Sequence, residues 1–172
     1  MRLASVLLAA VLPAHASLPD PKGLEVVPYV DVQRYIGTWY EIAAIPQSFQ
    51  RGCTASTATY TLQDDGTLKV LNQCRKGGLD GKVKVANGRA WIVDPSTNAK
   101  LKVSFFWPFS GDYWIIDLAP DYTWAVVGHP SRDYLWILAR QPRMDPTLYQ
   151  TLLGRLGGVG YDTGRVERTL QP

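Results

Sequence analysis

The sequence predicts an all-β fold: an eight-stranded antiparallel up-and-down β-barrel with one C-terminal α-helix packed on it. Three observations predict it. From Gly37 onward, eight short runs rich in β-branched and aromatic residues follow one another, most joined by short connections containing Gly, Pro, Asn or Asp. The periodicity then changes once, to a helical repeat around Leu148. The length, 172 residues, suits one domain with a substantial core.

The chain opens on a positive Met1-Arg2, an apolar run from Leu3 to Leu12 too short to span a bilayer, and the small-x-small site Ala14-His15-Ala16. Residues 1–16 are therefore expected to be a signal peptide, with the mature chain starting at Ser17. No Cys follows the run, so the mature protein is expected to be soluble and without a lipid anchor. Residues 17–30 contain several prolines and predict an extended lead-in to a single domain over 31–172. The expected strands are Thr38–Ala44, Thr54–Gln63, Leu68–Gln73, Lys82–Val93, Leu101–Phe106, Asp112–Leu118, Trp124–Gly128 and Tyr134–Arg140, with a hairpin at Asp64-Asp65-Gly66-Thr67. Asp145-Pro146 supplies an N-cap and first helical residue; Leu148, Leu152 and Leu156 give a single apolar stripe, and Gly157-Gly158 ends it. A last short strand is expected within Arg165–Thr169.

Composition excludes several classes of function. Hydrophobic residues make up 46% and charged residues 19%, which argues against disorder. The net charge of +3 is scattered, and no Lys/Arg run tracks a phosphate backbone, so no nucleic-acid partner is expected. Cys53 and Cys74 in an exported chain predict a disulfide, the alternative being two buried thiols. Simple register about the hairpin sets them about four positions out of step, so pairing them requires a bulge or bend. His129 is the only histidine left after cleavage and sits in a Gly128-His129-Pro130 turn, so no metal site and no cofactor are expected.

Three short motifs occur in order: Gly37-Thr38-Trp39, Asp121-Tyr122 and Arg140. Together they resemble the three motifs of the lipocalins, and the helix falls where that family places it. The resemblance covers roughly residues 30–172. Leu101–Phe106 and Asp133–Leu138 resemble segments of the bacterial, outer-membrane type, from which this chain departs by lacking a lipidated Cys. The resemblance implies that Trp39 plugs the closed end of the barrel beneath the Arg140 guanidinium, a structural role for Gly37, Trp39, Asp121, Tyr122 and Arg140.

Period-two alternation then assigns an inward face. If Trp39 and Arg140 point inward, so do Glu41, Ala43, Tyr134, Trp136 and Leu138. The same reasoning places Ala58, Tyr60, Val70, Ala90, Leu101, Val103, Phe105, Tyr113, Ile115 and Val126 inside, as the lining of a ligand calyx. Small residues among large aromatics leave space; the alternative is a barrel packed shut. An inward Glu41 needs a partner, either a ligand's polar group or, as the favoured reading, a structural one near the barrel base.

The expected function is that of an extracytoplasmic carrier or store of a fatty acid, lysophospholipid or similar amphiphile, with a role in envelope lipid maintenance. No Ser–His–Asp, Cys–His or paired-carboxylate arrangement suggests an enzyme. The alternatives are a lipocalin-fold enzyme acting on a hydrophobic substrate, a haem or pigment carrier using His129, and a module without ligand. The expected location is the periplasm or the extracellular space, alternatively the outer membrane surface without an anchor, with peripheral membrane contact. The expected state is a monomer or homodimer.

Overall fold

The computed structural model describes residues 23–172. The expected signal peptide and the first part of the lead-in lie outside the described residues; residues 23–31 carry neither helix nor strand. A one-turn helix α1 (Val32–Tyr35) precedes β1 (Gly37–Ala44), β2 (Cys53–Leu62), β3 (Leu68–Lys76), β4 (Lys82–Ile92), β5 (Lys100–Phe106), β6 (Phe109–Leu118), β7 (Trp124–Gly128) and β8 (Leu135–Ala139). Helix α2 (Pro146–Gly158) and the two-residue β9 (Glu167–Arg168) follow.

Each strand pairs antiparallel with the next, and β1 pairs with both β8 and β2, which closes the barrel. Closure removes the free edges that an open sheet would expose. Because the strands alternate in direction, the β1–β2, β3–β4, β5–β6 and β7–β8 connections share one end, the open one. The other end carries α1 and the motif residues. Beside Glu167 and Arg168 the tail is spliced into the seam between β1 and β2: Thr169 N–H donates to the Ile42 carbonyl, and Ala55 N–H donates to that of Leu170.

Sequence and structure agree on α2. The Asp145 carboxylate accepts the Leu148 N–H at 2.9 Å, Pro146 fills the position whose N–H would be unsatisfied, and Tyr149, Leu152 and Leu156 are buried. Helix α1 was not expected. Its signal is Asp31, whose carboxylate accepts the Gln33 and Arg34 N–H groups, but one turn is too short to produce a hydrophobic period.

Two cores result. One fills the lower barrel: Trp39, Tyr60, Leu68, Val70, Ala90, Leu101, Tyr113, Ile115 and Leu138. The second lies outside the barrel wall, where α2 covers β1, β7 and β8 with Leu152 and Leu156 against Ile42, Val126 and Ile137. Two expected inward residues belong to this outer core. Ala43 faces α2 because a register shift between Glu41 and Ala43 reverses the alternation in β1; Ala44, opposite Trp136, takes the inward phase. Val126 faces α2 because β7 is read one residue out of phase; its inward residues are Ala125 and Val127. A strand covered on both faces has no polar phase from which to read orientation.

Cys53 and Cys74 form a disulfide across β2 and β3, with their Cα atoms 5.4 Å apart. The expected bulge lies between Thr54 and Thr57, where Ala55 has a positive φ of 49°. It shifts the register so that Cys53 stands opposite Lys76, which makes Cys74 its diagonal neighbour. The double variant Cys53→Ser/Cys74→Ser is expected to lose about 3 kcal/mol of stability in urea unfolding, from the freed loop of the unfolded chain. Reduction should shift the parent's midpoint in the same direction and leave the variant's unchanged.

Candidate functional site

The closed end is built around Trp39. Its indole N–H donates to the Tyr35 carbonyl at 2.8 Å, and the Arg140 guanidinium lies 3.7 Å above its ring centroid. Arg140 also donates to the carbonyls of Arg34, Tyr35, Ile36 and Thr38 at 2.8–3.0 Å. Three of these carbonyls end α1, where no further helical turn satisfies them. Gly37 has φ +97°, and a Cβ there would lie 3.4 Å from an Arg140 nitrogen, so glycine serves both the backbone and the close approach. At the Asp121-Tyr122 turn, the Asp121 carboxylate accepts the Thr123 N–H and hydroxyl, and the Tyr122 hydroxyl accepts the Asp31 N–H at 2.8 Å. All three motifs therefore converge on α1.

Above this plug sits a ring of phenols. The Tyr113 hydroxyl is 2.8 Å from that of Tyr35 and 2.9 Å from that of Tyr60. Burial pushes all three up, Tyr60 to about 12, so each remains a neutral hydrogen-bonding group. Alternation predicted Tyr60 and Tyr113 inside; Tyr35, on the unexpected α1, was missed.

The wall opens upward. On β2 the inward residues pass from buried Tyr60 to part-exposed Ala58. On β3 they pass from Val70 to Asn72, on β4 from Ala90 to Gly88 and Ala86, and on β5 from Leu101 to Val103 and Phe105. On β8 they pass from Leu138 to Trp136, on which Tyr134 stacks with centroids 6.2 Å apart. Gly88 makes room for Phe105: a Cβ there would lie 2.8 Å from the ring. The Asn72 Oδ1 is buried and accepts no hydrogen bond among the described residues. It was overlooked although it continues the inward phase of Leu68 and Val70.

Glu41 is buried near the seam, not at the base. Its two oxygens accept from Gln50 Nε2 at 2.8 Å and the Thr169 hydroxyl at 2.6 Å, and Gln50 in turn accepts the Trp136 indole N–H at 3.3 Å. Burial pushes the Glu41 carboxyl above the usual carboxylate range, against the pull of these two bonds. A pocket of about 400 Å³ adjoins it, lined also by Arg51, Thr54 and Leu170. At the same lip the Lys84 ammonium donates to the Phe49 carbonyl at 3.3 Å and that of Lys76 to the Arg51 carbonyl, which holds the β1–β2 loop over the mouth. His129 pairs with the Ser131 hydroxyl at 2.9 Å and faces Asp112 at 3.8 Å; among the described residues no three His, Cys, Asp or Glu side chains cluster as metal ligands would.

Residues 30–171 match the family model described as a lipocalin-like domain. The chain is 40% identical to the outer membrane lipoprotein Blc of Escherichia coli (strain K12) over all of this chain and 99% of the relative. It is 41% identical to temperature-induced lipocalin-1 of Arabidopsis thaliana over 90% of this chain and 86% of the relative. Insecticyanin from the tobacco hornworm Manduca sexta shares the fold, with a TM-score of 0.65 at 19% identity over 85% of this chain and 83% of that one.

Trp39→Ala is expected to cost about 3–5 kcal/mol through the cavity it opens. Arg140→Ala should couple to it in a double-mutant cycle read by chemical denaturation, because the groups touch; strict additivity would contradict the contact. Glu41 gives a pH signature. Its folded pKa is raised, so its contribution to stability is full below the unfolded carboxyl range and is lost as pH rises through the folded value. The stability of the parent relative to Glu41→Gln should therefore fall as pH is raised from the unfolded carboxyl value through the higher folded one. Parallel stability–pH curves would contradict the assignment.

Proposed function

Because the chain belongs to the lipocalin family, we propose that its barrel carries one fatty acid, lysophospholipid or similar amphiphile outside the cytoplasm. The observation that carries this reading is the gradient along the inner wall, from fully buried at the Trp39 plug to solvent-reachable at Trp136, Ala58, Val103 and Phe105. Such a wall is a cup open at one end. An acyl chain entering it gains ~0.8 kcal/mol per buried methylene. Asn72, with its unpaired acceptor part-way up, would take a hydroxyl of the cargo, and the polar lip would face the head group.

Further support comes from the chemistry of the interior. The three phenols are held neutral and so provide hydrogen bonds without a base. Both Glu41 oxygens are already bonded within the protein, which favours a role in holding the seam over one in acid–base work. The relatives named as outer membrane lipoproteins support a place in the cell envelope, where an amphiphile of low solubility needs a carrier.

Protein stripped of cargo is expected to bind one long-chain fatty acid or lysophospholipid, with affinity rising by about fourfold per methylene while the chain still fits. Saturation should be accompanied by a change in the fluorescence of Trp136. Ala58→Arg or Val103→Arg should abolish binding in a protein whose disulfide and barrel are intact. No saturable uptake of any chain length by the folded barrel would refute the carrier reading.

A further inference from the structure

The hairpin between β5 and β6 ends in Phe105-Phe106-Trp107-Pro108-Phe109, and the segment from Ser104 to Gly111 carries no charge. Phe106, Trp107 and Phe109 are 81%, 83% and 78% exposed. Nothing in the barrel requires this, because the lining is complete with Phe105. Phe49, in the β1–β2 loop, is 58% exposed, and strand direction places that loop at the same open end. Single exposed apolar residues are ordinary, but three adjacent large ones on a protruding tip mark an interaction site.

Charge identifies the partner. Arg51, Arg75, Lys76, Lys82 and Lys84 are all exposed at the open end. The acids exposed there are Asp80, Asp133, Asp162 and Glu167, against which Arg165 and Arg168 are also exposed, and Asp133 lies 3.6 Å from Arg165. At the closed end, the β2–β3 hairpin carries Asp64 and Asp65 instead. Aromatic side chains beside lysine and arginine suit the boundary between phosphate head groups and acyl chains: Phe enters the apolar layer, the indole N–H reaches the polar one, and the cations meet the phosphates.

We propose that the open end of the barrel docks on an anionic lipid bilayer, with Phe106, Trp107 and Phe109 inserted as a wedge, Phe49 beside them, and the basic lip on the head groups. The mouth then faces the membrane, so an amphiphile carried as proposed above would pass between bilayer and barrel without crossing bulk water. Docking goes beyond the carrier reading and does not rest on it, since the wedge lies outside the lining.

The test is cosedimentation of the purified protein with vesicles of phosphatidylcholine, with and without phosphatidylglycerol. Binding is expected to the mixed vesicles, to weaken with added salt, and to bring tryptophan quenching by lipids brominated near the head group. Phe106→Ser/Trp107→Ser/Phe109→Ser should lower partitioning by at least about tenfold while leaving acyl-chain binding in solution unchanged. Trp107→Lys is a milder variant with the same expected direction. Arg51→Glu/Lys82→Glu should weaken binding to the phosphatidylglycerol vesicles more than to phosphatidylcholine alone. Equal binding by parent and triple variant would overturn the proposal. So would a parent that ignores both vesicles but forms a dimer that the triple variant abolishes, since the wedge would then be an interface between two copies. Failure of acyl-chain uptake with vesicle docking intact would sink the carrier reading alone.

Discussion

The stacked contact of Arg140 on Trp39 is the constraint on which the barrel depends. One guanidinium covers an indole face and also donates to the last carbonyls of α1. It thereby joins β1, β8 and the entry segment at the point where the sheet closes on itself. A half-buried cation in a barrel end would be costly without acceptors; here several backbone carbonyls surround it. Tyr122 adds the other side of the clamp, with its hydroxyl on the Asp31 N–H and the Arg34 guanidinium 4.1 Å above its ring. Any ligand must therefore enter from the far end.

The sequence disclosed most of this architecture because the chemistry is local. Hairpin residues, the Asp145-Pro146 helix start and the alternation of Leu68, Val70 and Tyr60 are all signals within a few positions. So was the need for a bulge if Cys53 and Cys74 were to pair, since it followed from counting residues about one turn. What was not legible depends on contacts distant in sequence. Val126 was assigned inward because Trp124–Gly128 is apolar on both faces, and only α2, some twenty positions later, explains why its outer face is apolar too. Ala43 was lost to a single register shift, which reverses every side chain beyond it. Helix α1 was invisible because its stability comes from Asp31, Arg140 and Tyr122, not from its own four residues.

The same contrast divides the candidate site. The lower lining was legible because burial there is complete and every inward residue is apolar or a phenol. The upper wall mixes Asn72, Gly88, Lys84 and Gln50 with aromatics, and its meaning lies in which face each occupies. Gln50 could not have been singled out: it belongs to the β1–β2 loop, and only the fold brings it between Trp136 and Glu41.

The open half is built differently from the closed half, and that difference bears on how cargo enters. Below, β1 and β2 are joined by a regular ladder from Gly37–Tyr60 to Tyr40–Thr57. Above, they part, and the tail fills the gap with two backbone bonds and with Gln171, whose amide donates to the carbonyls of Glu41 and Ser56. Glu41 is bonded there through side chains from two different segments, at the expense of burying a carboxylate. Isolated side-chain bonds open more readily than a continuous backbone ladder. The Cys53–Cys74 bond stands at the margin of this same region and fixes the upper end of β2 to β3, so that loosening of the seam does not propagate around the sheet. The barrel thus has a regular ladder at its base, a covalently fixed wall on one side of the mouth, and on the other a seam held in part by side-chain bonds. A cargo carried as proposed above would meet that seam at the mouth, where the β1–β2 ladder has ended.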